Sequence, residues 1–159
     1  MTADRAVGDP TAPDAPVPQG DYTSARVAAG LVHTAGMTPR AGGGMAATGV
    51  LGAGLGVPDA RPLAALAARR AVDAGRKAAE AAGLRLASAV SMTVYVAATA
   101  DFTEHSRVAD GASEAVRELL GGPPPARAAI GVSSLPSGAP VEVSLVLAVA
   151  DAGRPPGSA

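Results

Sequence analysis

Apolar positions recur at period two in some stretches and at three- to four-residue spacing in others, which sorts the chain into short strands and two helices. ARVAAGLVHTAG, from Ala25 to Gly36, reads as two strands about a turn at Ala29-Gly30. RAGGGMAATGVLGAGLG, from Arg40, is too glycine-rich for a helix and reads as a mobile loop with one brief strand near Ala47 to Leu51. Leu63, Leu66, Ala67, Ala71, Ala74, Ala78 and Ala82 predict a helix from Asp59 to Ala82, started by Asp59 and Pro62 and closed by Gly83. On its other side Arg69, Asp73 and Lys77, and the pair Arg76/Glu80, alternate in sign at four-residue spacing, as a solvated helix face does.

AVSMTVYVA, Ala89 to Ala97, sets Val90, Met92, Val94 and Val96 against Ser91, Thr93 and Tyr95, a strand with one apolar face. A second helix follows, with Asp101 placed to cap it and Val108, Ala112, Ala115, Val116 and Leu119 as its stripe. Gly111 inside it implies a kink or close packing, because glycine costs about 1 kcal/mol there relative to alanine. The last two strands, Ala126 to Ser133 and Val141 to Ala150, flank the turn LPSGAP. Ala126, Ala128, Ile130 and Val132 form the apolar face of the first, and Val141, Val143, Leu145, Leu147 and Val149 that of the second. The order ββ(β)αβαββ predicts an α+β domain: a largely antiparallel sheet with two helices on one face.

Residues 1–19 form a proline-rich, small and acidic arm, and 151–159 a similar tail. Both read as flexible, leaving one ordered domain over 20–150. Phe, Tyr and Trp total three residues, so Val, Leu and Ala must fill the core. A buried aromatic supplies roughly 150–250 Å² of apolar area, and a subunit interface is the natural place to recover what is missing. The absence of cysteine excludes disulfides, thiol nucleophiles and Cys-ligated zinc. A formal charge of −1 and the shortage of stacking rings argue against nucleic acid as a partner. No apolar run approaches the roughly 18 residues of a membrane span, and the N-terminus lacks the apolar stretch of a secretory signal. A cytoplasmic protein with no membrane partner is the expectation. GAGLG at Gly52 to Gly56 lacks the ending of a phosphate loop. His33 and His105 each stand without a partner at metal or triad spacing, so no metal and no cofactor is expected.

Arg127 and Glu142 are the ionisable residues on the two terminal strands, and both are placed on the face that the helices leave open. An arginine among Ala and Gly suits bidentate capture of a small carboxylate, and a nearby glutamate could orient or deprotonate water. With LPSGAP as a tight connection, Ser133 faces Glu142 and Arg127 faces Ala148. That leaves the pair about 20 Å apart in one chain at ~3.3 Å per residue. Arg127 of one subunit is therefore expected to meet Glu142 of its neighbour.

ARAAIGVSSLPSGAPVEVSLVLAV, Ala126 to Val149, resembles the C-terminal signature of the RidA/YjgF family: an arginine, a strand, Leu-Pro, a short turn and a Val-Glu-Val strand. GDYTSARVAAGLVHTAGMTPR, Gly20 to Arg40, is similar to its N-terminal Gly-x-Tyr and (T/S)-S-G-x-x-P elements, and ADFTEHSRVADGAS resembles a stretch of its YjgF-like branch. The resemblance implies a chorismate-mutase-like homotrimer with clefts between subunits. It also implies hydrolysis of carboxylate-bearing enamines or imines to 2-keto acid and ammonia, without a cofactor. Arg127 then anchors the substrate carboxylate, Glu142 positions the attacking water, and Tyr22, Ala35, Gly36 and Ala129 line the cleft. Ala35 stands where the family has serine, Ala129 where the deaminase branch has cysteine, and Pro125 where a histidine is common. Two other functions fit the same scaffold: a pathway-specific dehydration, cyclisation or C–N cleavage, and non-catalytic binding of a small ligand.

Overall fold

A computed structural model describes residues 13–153; the rest of the arm (1–12) and of the tail (154–159) lie outside the described residues. Strands β1 (Ala25–Ala28) and β2 (Leu31–Thr34) form the hairpin expected about Ala29-Gly30. The stretch read as a mobile loop begins with a miniature pair, β3 (Arg40–Ala41) with β4 (Gly44–Met45), and the brief strand expected near Ala47 to Leu51 is present as β5 (Val50–Leu51), paired with β6 (Gly54–Leu55). Gly42 and Gly43, at φ 64° and 88°, allow the first of these tight turns.

Helix α1 (Val57–Ala81) begins two residues before Asp59, because the Gly56 N–H donates to the Asp59 carboxylate at 2.9 Å and makes Gly56 the cap. Pro58, without an N–H, occupies an early helical position where no donor is required. Gly83, at φ 73°, ends the helix as expected, its N–H donating to the Glu80 carbonyl at 2.9 Å. Strand β7 (Leu84–Ala97) is longer than its alternation indicates. Its register slips between Ala89 and Ser91, which buries Ala89 and leaves Val90 44% exposed, so Val90 drops out of the apolar face that Met92, Val94 and Val96 keep.

Helix α2 (His105–Leu120) starts after Glu104. Asp101 does not cap it: the residue lies in an exposed turn closed by the Phe102 N–H on the Thr99 carbonyl. Val108, Ala112, Ala115 and Val116 are buried, whereas Leu119 sits at the surface. Gly111 marks close packing, since a Cβ there would overlap the Arg61 carbonyl oxygen of α1.

Strands β8 (Ala126–Val132) and β9 (Val141–Asp151) complete a five-stranded sheet in the order β1-β2-β9-β7-β8. Only β7 and β8 run parallel. LPSGAP is therefore not a hairpin turn. It carries the chain over the end of β7, through a 3-10 turn at Pro136–Gly138, because β7 pairs with β8 on one edge and β9 on the other. The result is a single α+β domain with a mixed, mostly antiparallel sheet and both helices on one face.

This register reverses the faces of β8. Met92, Val94 and Val96, which point at the helices, stand beside Arg127, Ala129 and Gly131. Neighbouring residues in register share a face, so these three turn toward α2, while Ala126, Ala128 and Ile130 are exposed on the other side. On β9 the reading holds: Val141, Val143, Leu145 and Leu147 are buried under the helices. The core is aliphatic, with Val32, Leu51, Val72, Val108 and Val116 completing it beneath helices faced largely by alanine.

Gly111→Ala tests how closely the helices meet. It should lose about 1–3 kcal/mol in urea denaturation despite the ~1 kcal/mol helical preference for alanine. A more stable variant would mean that α1 and α2 stand further apart than described.

Candidate functional site

Glu142 lies on the sheet face that the helices do not cover. Its cross-strand neighbour on β7 is Tyr95, and on the other side the chain after β2 is tied to β9. Met37 N–H donates to the Val143 carbonyl at 2.8 Å, and Val143 N–H to the Met37 carbonyl at 2.9 Å. These bonds draw Gly36 against Glu142 so closely that a Cβ at position 36 would overlap the carboxylate. Any side chain at position 36 would push the Glu142 carboxylate out of its present place. Among the described residues no cation pairs with Glu142, and burial pushes its carboxyl pKa above the usual value. A half-buried, uncompensated carboxyl is a stronger base than a solvated one.

Arg127 is placed differently from the expectation. It faces α2, the layer opposite Glu142, for the register reason given above. Its Nη1 donates to Asp110 Oδ1 at 2.9 Å and Ser113 Oγ at 2.8 Å, and its Nη2 to Ser106 Oγ at 2.7 Å and the Ser106 carbonyl at 3.3 Å. Ser106, Asp110 and Ser113 recur at four- and three-residue spacing, one face of α2. Arg127 pairs with Met92, not Ala148, and Glu142 with Tyr95. Three residues along β7 and two strand spacings separate them by roughly 14 Å within one chain.

Of the remaining residues, the structure brings only Gly36 to Glu142. Tyr22 is 50% exposed in a turn ahead of β1, its hydroxyl accepting from the Gln19 N–H at 3.1 Å. Ala35 packs on the core and donates its N–H to the Ser24 carbonyl at 2.9 Å, and Ala129 packs on the core beneath α2. His33 is exposed on β2; His105 meets the Phe102 ring edge-on at a centroid distance of 5.1 Å, beside Gly131. Two surface clefts, about 590 Å³ between β1 and α1 and about 430 Å³ around Phe102, His105 and Ser133, do not include Glu142.

Two contributors escape the sequence reading. Tyr95 flanks Glu142 only because β7 separates β8 from β9. Arg70, adjacent to the solvated positions of α1, is buried, and donates to the carbonyls of Asp14 at 2.9 Å, Thr38 at 2.7 Å and Ala15 at 3.4 Å. Burial, then the Arg40 charge, disfavour its cationic form, while Asp14, Tyr22 and Asp73 favour it. Arg70 thus fixes the chain two residues beyond Gly36, and holds part of the arm that composition marks as flexible. Among the described residues no group of three or more His, Asp or Glu could hold a metal, and no helix is long and apolar enough to cross a membrane.

The α+β domain, with its arginine-bearing edge strand and its Val-Glu-Val strand beside a glycine, defines the class of protein. Residues 12–149 match the endoribonuclease L-PSP family, and the chain belongs to this family, which includes the RidA/YjgF proteins. It is similar to Protein TCP17 of Trypanosoma cruzi, 34% identical over 137 residues that cover 85% of each chain. The crystal structure of Atu1372 from Agrobacterium tumefaciens, a protein of unknown function, superimposes with a TM-score of 0.77 at 28% identity, covering 84% of this chain and 86% of that one. The YjgF gene product of E. coli shares the fold, with a TM-score of 0.55 at 23% identity over 91% and 98% of the two chains.

The elevated pKa of Glu142 has a definite sign in stability. Its charged form is disfavoured on folding, so its contribution is fully present at pH below the unfolded carboxyl value and is lost as pH rises through the folded one. Glu142→Gln should therefore be more stable than the parent at pH 7 in urea denaturation, with the gap closing toward about pH 4. A parent more stable than the variant at pH 7 would contradict this.

Proposed function

We propose that the chain forms a homotrimer through its uncovered sheet face and hydrolyses carboxylate-bearing enamines or imines to a 2-keto acid and ammonia in clefts between subunits. The observation that carries this reading is Glu142: an uncompensated carboxyl held against Gly36 on an open, largely apolar sheet face. Ile130, 41% exposed on the edge strand β8, is a large apolar residue on that face, where a lone domain would place a polar group. Family membership supports the same chemistry.

In the proposed reaction an enamine first shifts to its imine tautomer, gaining a proton at carbon and losing one from nitrogen. Water then attacks the imine carbon, the C=N π pair moves to nitrogen, and Glu142 accepts the proton that water loses. Glu142 returns that proton to nitrogen to give the neutral carbinolamine, and passage of the carbinolamine's hydroxyl proton to nitrogen as the C=O bond forms breaks the C–N bond and releases ammonia and the ketone. The imine carbon is already electrophilic, so positioning and one base supply what the reaction needs. Arg127 provides the anchor for the substrate carboxylate, reached from an adjoining subunit because one chain keeps it on the opposite face from Glu142. Tyr22, Ala35, Gly36 and Ala129 belong to the cleft walls. The formal charge of −1 disfavours an RNA substrate despite the family's description.

With 2-iminobutanoate generated in situ, the protein should accelerate keto-acid release. Glu142→Gln and Arg127→Met should each lower that acceleration by at least about 10²-fold, the scale of losing a general base or a positioning contact. No acceleration by the parent, or an undiminished rate in Arg127→Met, would contradict the proposal.

A further inference from the structure

We infer that Asp110 is a built-in competitor for the Arg127 fork, so that a ligand carboxylate reaches Arg127 only by displacing the Asp110 carboxylate. The inference rests on Arg127 being the carboxylate anchor.

Both η nitrogens of Arg127 are fully engaged: two N–H groups go to Asp110 Oδ1 and Ser113 Oγ, and two to the hydroxyl and carbonyl of Ser106. Only the Nε–H remains, and a single donor cannot make the paired contact that carboxylate recognition uses. Asp110 is the one charged partner in this cradle, and it has the same chemistry as the ligand it would exclude. The other acids of α2 are committed elsewhere, Glu114 to Arg61 and Glu118 to Arg69 of α1, and these pairs join the two helices. Asp110 alone turns to the sheet edge.

The exposures favour exchange over permanent burial. The Arg127 side chain is 21% exposed and that of Asp110 45%, so the released aspartate passes into water without crossing the core. Ser106 and Ser113 are neutral and can keep their bonds while the charged partner changes. Half-exposed ion pairs are weak, so the latch lowers ligand affinity without abolishing binding. It also selects for charge: an uncharged amide gains nothing by competing with a carboxylate for a guanidinium.

Calorimetric titration of the full-length protein with 2-oxobutanoate and with uncharged 2-oxobutanamide tests this. Asp110→Asn should bind the acid about fivefold more tightly than the parent and the amide no more tightly, fivefold being what loss of a weak surface ion pair is worth. Asp110→Ser, which keeps a hydroxyl in the cradle, is the second variant should Asp110→Asn fail to fold, and thermal melting establishes that each is native. If the parent's affinity falls on Arg127→Met but both Asp110 variants bind the acid no better than the parent, the competitor role is overturned and Asp110 positions the anchor instead. If Arg127→Met binds the acid as well as the parent, the anchor reading itself fails, and the competitor role with it.

Discussion

Met92 stands beside Arg127 across the parallel β7–β8 ladder, and that one register decides which way every side chain of β8 points. Because Met92 belongs to the helix-covered core, Arg127 must lie under α2, and Ile130 and Ala128 must face outward. The parallel ladder itself follows from α2, which returns the chain to the starting end of β7 before β8 begins. β9 then has only the other edge of β7 left to pair with. The placement of Glu142 beside Tyr95 and over Gly36 is a consequence of this order.

Small residues make the arrangement possible on the helix side. Alanine faces much of α1 and α2, and at Gly111 the second helix comes against the Arg61 carbonyl; at Gly75 a Cβ would press on Leu147. Layers this close leave no space for aromatic side chains in the middle of the domain, which accounts for a composition with only three of them. The shortage of large core residues and the apolar outer face of β8 are two aspects of one economy in side-chain volume. The domain closes tightly on its helix side and leaves apolar surface on the other.

The elements were legible in the sequence where the signal is local. The Ala29-Gly30 turn, the Gly83 stop, the close packing at Gly111 and the apolar face of β9 are each set by residues within a turn or a strand of one another. The errors arise where a partner strand decides. Ala126, Ala128, Ile130 and Val132 form a proper apolar stripe, yet it is not the one the helices bury, because the alternation within a strand does not say which of its faces the helices cover. LPSGAP has the residues of a hairpin turn, and only the pairing of β7 on both edges makes it a crossover. Val90 follows the alternation until a register slip moves it out. For the site, Gly36 and Glu142 could be named from motifs, whereas Tyr95, Arg70 and Asp110 acquire their roles from contacts that no spacing encodes.

The two charges singled out by sequence thus end on opposite faces of one sheet, roughly 14 Å apart by strand geometry. A site that uses both has to be shared between chains. Subunit mixing tests that sharing directly: Arg127→Met and Glu142→Gln, each inactive alone, are unfolded together and refolded at equal concentrations. Random trimers with one Arg–Glu cleft per subunit boundary would restore about a quarter of the parental imine-hydrolysing activity, since three-quarters of them are mixed and each mixed trimer regains one cleft of three. A mixture no more active than its separate components would contradict a site built from two chains.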